Sequence, residues 1–459
     1  MTLQAAPPAM DTAQPRQAAP PASAKAQHVP HRWRNLLTLT GVSVVDNTES
    51  GLTSTLFPSI AKSLSLNSGN LGTMAALGKL VSVPAGPAFT WLAGRISRRW
   101  ALVATSLTAG AFGIAAGLAQ SFLQLLIFNA LMAACVTGGA PIANAVIADS
   151  FDDRHRGRAV GYFYGALGLA ASFGGAALAL FTGFHGGWRY GMFAIGGICI
   201  LAAILVAALF KDPGVGASEK QLADLPERDR VRTRVTVGSV MSLFRIPSYS
   251  IMMASRLLSG HLLITIFGIQ FLVTERGFSN PVAATVLVPF GLGYFAANTG
   301  GGWLVAALDK TLGPRGRVLY IQAAQVFFAV VAYFATQVHH DNIAIYGIFW
   351  ALMGAGQGLN PPVNRPIVAA VVLPELRGQA FAIWLSIFET IGWALFSLGA
   401  GALAVTIGLQ TVFLWILVVL MLINAAVLTA LYVTYPRDVH RVTAALDQRR
   451  AQAADSPGR

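Results

Sequence analysis

Pro141-Ile142-Ala143-Asn144 is followed, sixteen residues after its proline, by Gly157 in Arg156-Gly157-Arg158-Ala159. Pro362-Val363-Asn364-Arg365 is followed at the same spacing by Gly378 in Arg377-Gly378-Gln379-Ala380. The offset between the two passages is 221 residues at all three matched positions, the proline, the glycine and the alanine. Each passage joins the end of one apolar run to the start of the next through an Arg-Gly-x-Ala turn. Ala- and Gly-rich helices can resemble one another by chance, but a matched turn at a matched junction points to an internal duplication. Duplicated helical halves with a site between them are a common architecture of membrane carriers.

Working outward, runs of about 20 apolar residues, the length that crosses a ~30 Å hydrocarbon core at 1.5 Å per residue, recur along the chain. They fall at 35–57, 70–93, 100–119, 122–149, 159–182 and 188–210, and again at 248–273, 282–307, 318–337, 343–372, 380–405 and 411–434. The predicted fold is an all-α membrane protein of twelve transmembrane helices in two pseudo-symmetric six-helix bundles. Its expected division is a disordered cytoplasmic tail 1–33, a bundle 34–210, a cytoplasmic linker 211–247, a bundle 248–434 and a cytoplasmic tail 435–459. Composition agrees: 55% of the 459 residues are hydrophobic and 11% charged, whereas soluble domains carry about 25% charged residues.

The net charge of +13 raises the question of nucleic acid, and the placement of the charge answers it. About 26 of the 32 Lys and Arg lie in alternate loops and the two tails, the positive-inside pattern. The chain is therefore expected in a bacterial-type inner membrane with both termini cytoplasmic, and no nucleic-acid partner is expected. Residues 1–30 have no apolar core and do not read as a cleavable signal peptide. Cys135 and Cys199 each lie inside an apolar run and read as small buried hydrophobes. No metal-ligand spacing occurs, His339-His340 reads as a solvated turn, and neither metal nor cofactor is expected. The expected surroundings are the lipid bilayer and a small-molecule substrate, with protons as an optional second partner and a monomer as the working state.

Six charged side chains fall well inside apolar runs: Asp46, Glu49, Lys79, Arg256, Arg365 and Glu389. Each costs about 2.5–3.5 kcal/mol at a helix centre, so six sum to roughly 15–20 kcal/mol, too much for chance retention. They are expected to face a wet cavity or one another. Asp46 and Glu49 stand i, i+3 on one helix face. Two carboxylates this close repel, which suits a proton or cation acceptor; the alternative is a structural pair tied to Lys79 or Arg256. Arg365 corresponds across the repeat to Asn144, and Glu389 to Gly168. A charge present in one copy alone argues against a scaffold role. Arg365 is thus a candidate anion-binding group, able to grip a carboxylate or sulfonate bidentately; the alternative is an anchor snorkelling to the helix end. The expected substrate-binding set is Arg365, Arg256, Glu389 and Asn144, and the expected coupling set is Asp46, Glu49, Lys79 and His261. For Lys79 and Arg256 snorkelling competes with pairing, and His261 is either a titrating group or simply hydrogen-bonded. Trp384, Phe388 and Trp393 near Glu389 either line an apolar pocket or, the preferred reading, serve ordinary helix packing. No catalytic residues are assigned: no His-Glu-x-x-His, Gly-x-Ser-x-Gly or phosphate loop occurs, so an enzyme is not expected.

Several passages carry a family likeness. Trp91-Leu92-Ala93-Gly94-Arg95-Ile96-Ser97-Arg98-Arg99, Ala148-Asp149-Ser150-Phe151 with Arg156-Gly157-Arg158-Ala159, and Gly187-Trp188-Arg189-Tyr190-Gly191-Met192-Phe193 resemble, in order, three junctions of the major facilitator superfamily. They look like its loop between helices two and three, the junction of helices four and five, and the start of helix six. The likeness covers about residues 33–436, with some flavour of the Spinster-like and organic-anion branches. The chain departs from the family pattern at Gly94, where an Asp is usual, and at Thr90, where a Gly is usual. It departs also at Asn129, in place of an Arg, at Asp46-Asn47, in place of an Asp-Arg pair, and in a fifth helix, Gly165 to Gly175, without the Gly-Pro pair of proton-coupled drug antiporters. The resemblance implies secondary transport by alternating access, here of a small or amphipathic, anionic organic solute with optional proton symport. A lipid-like or drug efflux carrier is the alternative, and an intramembrane enzyme the remote one. It also implies a gate of ion pairs on the cytoplasmic side, drawn from Arg95, Arg98, Arg99, Asp309, Lys310, Arg315 and Arg317, weakened in the first half by Gly94.

Overall fold

A computed structural model describes residues 29–66, 68–179, 186–222 and 235–454. The expected tail 1–33 lies mostly outside them, as do the end of the fifth span and the middle of the linker. The side chains of residues 46–55, including Asp46 and Glu49, also lie outside the described residues.

An apolar segment in hydrocarbon has no water to satisfy its backbone, so helix is the available answer. The first half is built from α1 (Arg32–Leu64), α2 (Ser68–Arg95), α3 (Arg98–Leu118), α4 (Phe122–Ser150), α5 (Asp153–Ala179) and α6 (Gly187–Leu209). Short polar junctions set the starts of α3 and α4: the Ser97 hydroxyl accepts from the Trp100 amide at 3.2 Å and Ser121 from the Gln124 amide at 3.4 Å, satisfying donors that a helix start leaves open.

The second half repeats the layout with breaks. Its first span is α7 (Pro247–Leu257), a tight turn Gly260–Leu262 and α8 (Leu263–Thr274); α9 (Leu287–Leu312) and α10 (Pro314–Gln337) follow. The next is α11 (Ile343–Gly358) and α12 (Pro361–Val371), broken at Leu359-Asn360 where Pro361 and Pro362 offer no amide hydrogens. Asn360 covers the break, donating to the Gly356 carbonyl at 3.1 Å and accepting from Gln325 at 2.7 Å. The eleventh span rises from Arg377–Phe381 through a π-helical stretch, Ala382–Phe388, into α13 (Glu389–Phe413). Gly408, at φ 76°, turns the chain into the last span, which ends in α14 (Leu420–Leu428).

Among the described residues eight helical stretches are long and apolar enough to cross a membrane. α1, α2, α5 and the broken α11–α12 pair complete twelve. Their outer faces carry side chains such as Ile204, Leu395 and Leu398, 58%, 60% and 76% exposed, as a lipid-bathed surface requires. Buried apolar clusters fill each half.

Two regions expected as linker and tail have definite structure. The stretch expected as the C-terminal tail is α15 (Leu431–Ala454). It docks through Arg449, whose guanidinium meets Glu375 at 2.7 Å. Leu222 of the linker is fully buried with Val442 and Leu446 of α15.

The halves meet along α5 and α9 and along α2 and the π-helical stretch. At the first seam a Cβ on Gly161 would stand 2.2 Å from the Asn298 carbonyl oxygen, so glycine is what lets the two backbones approach.

Candidate functional site

Four of the six intramembrane charges gather where the halves face each other. Arg256, near the end of α7, forms an ion pair with Glu389, the first residue of α13. Arg256 is 8% exposed and Arg365 6%, so neither snorkels to an aqueous rim. The Arg365 guanidinium carbon lies 4.0 Å from the centre of the Tyr164 ring and 5.4 Å from that of Trp384, while one of its nitrogens donates to Asn364 at 2.8 Å. Arg256 lies 5.7 Å from the same Trp384 ring. Glu389 also feels the charges of Arg365 and Lys79, and the Lys79 ammonium sits 5.6 Å from the Trp393 ring centre.

The local chain explains this gathering. The π-helical stretch inserts an extra backbone unit just before Glu389 and turns the buried Trp384 inward; such bulges recur at functional sites. Trp384 is held by its indole N–H, which donates to the Met252 carbonyl at 3.1 Å. Its role is therefore more than the helix packing expected of it, since both arginines lie within cation–π range of its ring. Asn144, the repeat partner of Arg365, donates to the Tyr164 hydroxyl at 2.9 Å and so orients the ring beneath that arginine. Gly168, the repeat partner of Glu389, leaves room for the Tyr294 ring, which a Cβ there would meet at 2.3 Å. Tyr294 in turn feels the charges of Arg365 and Glu389.

His261 lies in the turn between α7 and α8, buried, with its ring edge-on to Phe328 at 5.9 Å. Among the described residues its Nδ1 has no hydrogen-bond partner, nor has Nε of Arg256 or Nε of Arg365. Buried polar atoms of this kind are ones that a bound polar solute or water would satisfy.

The basic ends of the helices form a second cluster. Asp149 at the end of α4 forms an ion pair with Arg98 at 2.8 Å and accepts from Arg377, across the two halves, at 2.9 Å. Arg317 bridges Asp153 of the first half at 2.6 Å and Asp309 of the second at 2.7 Å. Arg156 and Arg377 are repeat partners, and they behave alike. Nε of Arg156 donates to the Ala148 carbonyl at 3.2 Å and Nε of Arg377 to the Ala369 carbonyl at 3.0 Å, each eight residues back. Both arginines then take Glu219 of the linker between them. The linker is pinned further: the Gly216 amide donates to Asp149 at 3.2 Å and the Ser218 hydroxyl to the Ala148 carbonyl at 3.0 Å. Burial alone would push the Glu219 carboxyl up, but the Arg377 and Arg156 guanidinia outweigh it and hold it below the usual carboxylate range.

Of the residues expected at the gate, Arg98, Asp309 and Arg317 enter this network. Arg95, Arg99 and Arg315 do not. Arg95 stacks on Trp91 one turn back, at 4.2 Å. Arg99 donates to the Ala207 carbonyl on α6. Arg315 is exposed in a surface groove. The weakness expected from Gly94 is offset by Asp149, Asp153 and Glu219. The first stands in a passage quoted above and is marked by its neighbours, as are Arg156 and Arg377 in the matched turns. Glu219 and Tyr164 carry no such signal, being one acid in a polar stretch and one aromatic in an apolar helix.

The family model described as Major Facilitator Superfamily matches residues 39–349 and 249–455. The chain belongs to the Major Facilitator Superfamily. Two curated relatives match part of it. A probable 4-methylmuconolactone transporter of Cupriavidus pinatubonensis is 29% identical over 125 residues, 27% of this chain and 29% of that protein. An uncharacterized MFS-type transporter of Schizosaccharomyces pombe is 28% identical over 174 residues, 34% of this chain and 31% of that one. The chain thus spans less than a third of the length of either relative in these matches. Among solved structures, the fold is similar to that of the proton:xylose symporter XylE, with a TM-score of 0.67 at 13% identity over 87% of this chain and 95% of that one. It is similar also to the human organic anion transporter MFSD10, with a TM-score of 0.64 at 15% identity over 87% of this chain and all of the other. The superfamily fold makes the chain a multi-pass membrane protein of twelve helices, in a family of transporters rather than enzymes.

Proposed function

We propose that this superfamily member carries a small organic anion across the membrane by alternating access, binding it between the halves at Arg365, Arg256 and Glu389. The supporting observation is Arg365: 6% exposed, it forms no ion pair among the described residues and is held instead by the Tyr164 ring and by Asn364, which leaves its charge for an anion. Tyr164 and Trp384 give the site two apolar ring faces for the organic part of the solute, with Asn144 steadying the first. The relative named as a 4-methylmuconolactone transporter is consistent with a compact organic cargo.

Coupling to protons is part of the same proposal. A substrate carboxylate arriving at Arg256 competes with Glu389 for the guanidinium. Glu389, losing its counter-charge, then favours the protonated form, and Asp46 and Glu49 supply a second acidic pair on α1. With the basic loops in the cytoplasm, the ion-paired face is the cytoplasmic one, and the conformation described here is closed on that side.

Uptake of radiolabelled carboxylates into proteoliposomes under an imposed pH gradient tests this reading. Accumulation is expected with an inward proton gradient and is expected to fail in Arg365→Gln. Unchanged accumulation in the Asp46→Asn, Glu49→Gln double variant would reject the coupling role of those acids.

A further inference from the structure

The spare charge at Arg315, which takes no part in the ion-pair network, sits in a groove. We infer that this groove, between the start of α10 and the start of α15, is a binding site for the headgroup of an anionic phospholipid. It is lined by Leu312, Pro314, Arg315, Tyr432, Val433, Pro436 and Arg437. The location fixes the depth: Leu312 closes one membrane span and Tyr432 follows within a few residues the end of another, Leu428. The groove therefore opens at the level where hydrocarbon gives way to headgroups, on the basic face.

Its chemistry is divided as a lipid is divided. Leu312 and Val433 are 47% and 53% exposed and offer an apolar flank to acyl chains. Arg315 and Arg437 are exposed and form no ion pair among the described residues. The nearby acids are turned inward: Asp309 is held by Arg317 at 2.7 Å, and Asp438 accepts from the Ser248 amide at 2.9 Å. Two unneutralised guanidinia at an interface attract a phosphate, which guanidinium binds in a bidentate manner, and basic residues near an anionic membrane surface add to that attraction. Phospholipid is favoured over a soluble anion because the groove opens beside the bilayer and carries an apolar flank, and over an acidic peptide because the opening lies at the depth of the headgroups. The site would tie the loop after the eighth span to α15, the helix whose far end docks against Leu222 of the linker.

The test uses the full-length purified protein and the double variant Arg315→Gln, Arg437→Gln, with Arg315→Lys, Arg437→Lys as the charge-keeping partner. Native mass spectrometry counts bound phosphatidylglycerol against phosphatidylethanolamine, and thermal unfolding is followed in nanodiscs of each lipid. The wild type is expected to retain phosphatidylglycerol preferentially and to unfold at a higher temperature in it. The Gln pair is expected to lose that preference several-fold while matching the wild type in phosphatidylethanolamine, and the Lys pair to keep most of it. Equal phosphatidylglycerol preference in wild type and Gln pair would overturn the site. So would a stabilisation reproduced by inorganic phosphate alone, which would mark a soluble-anion site, or one produced only by an acidic peptide. If the Gln pair fails to fold in phosphatidylethanolamine, the Lys pair and the wild-type lipid preference decide: no preference in the wild type overturns the inference.

Discussion

Glu389 and Arg256 hold each other beside Trp384, and a buried pair broken on one side leaves a charge without compensation. Arg256 is buried but the Glu389 side chain is 36% exposed, so removing one partner costs less than the ~3–5 kcal/mol of a fully buried pair, whereas replacing both by apolar groups can be neutral. Arg256→Met and Glu389→Leu are each expected to lower thermal stability in detergent markedly, and the double variant to recover most of the loss; additive losses would contradict the pairing. Arg365 is different, since its partners are rings and a neighbouring amide. Arg365→Gln is expected to fold normally and to weaken substrate by about 10- to 100-fold, the worth of a charge-assisted hydrogen bond. A Tyr164→Leu variant should fall between, losing the ring beneath the guanidinium. At this scale the sequence named the charges because charge in an apolar run is conspicuous. It did not name Tyr164 or Tyr294, because an aromatic residue in an apolar helix looks the same whether it packs or lines a site.

At the scale of elements, the linker stretch 211–222 acts as a strap across the basic face. Glu219 sits between Arg156 of one half and Arg377 of the other, and Leu222 is buried against α15. Glu219→Gln is expected to raise amide exchange over residues 211–222 at neutral pH; unchanged protection would show that the strap does not depend on the charge. The pH dependence has a definite sign. The folded Glu219 carboxyl lies below its ordinary value of 4.5, so its contribution is fully present above that value and is lost as pH falls through the depressed one. The protection factor over the strap, corrected for the intrinsic pH dependence of amide exchange, should stay flat from pH 8 to about 5 and fall only in stronger acid. The α5–α9 seam gives a steric counterpart: Gly161→Val puts a branched side chain against the Asn298 carbonyl and should hold the halves apart on the basic side, with strap protection lost and the fold retained. The duplication was legible here because Arg156 and Arg377 recur at one offset and perform the same task. The strap was not, since a polar stretch gives no periodicity from which to read docking; the break at Leu359-Asn360 has a local cause in Pro361 and Pro362, whereas the π-helical stretch Ala382–Phe388 arises from tertiary fit that apolar runs leave unspecified.

For the molecule as a whole, the two halves touch at their basic ends and bring Arg256, Arg365 and Glu389 together further in. The twelve-span layout was readable from run length and the duplication from two passages, because membrane insertion leaves few alternatives. Cargo is another matter, as it depends on how side chains from both halves converge. The central claim is that this convergence binds an organic anion through Arg365. The most direct test is calorimetric titration of the purified protein with a panel of organic carboxylates, sulfonates, neutral solutes and cations, repeated on Arg365→Gln. Saturable binding of a carboxylate or sulfonate to the wild type, weakened by about 10-fold or more in Arg365→Gln, is the expected result; binding confined to neutral or cationic solutes, or anion binding indifferent to Arg365, would contradict it.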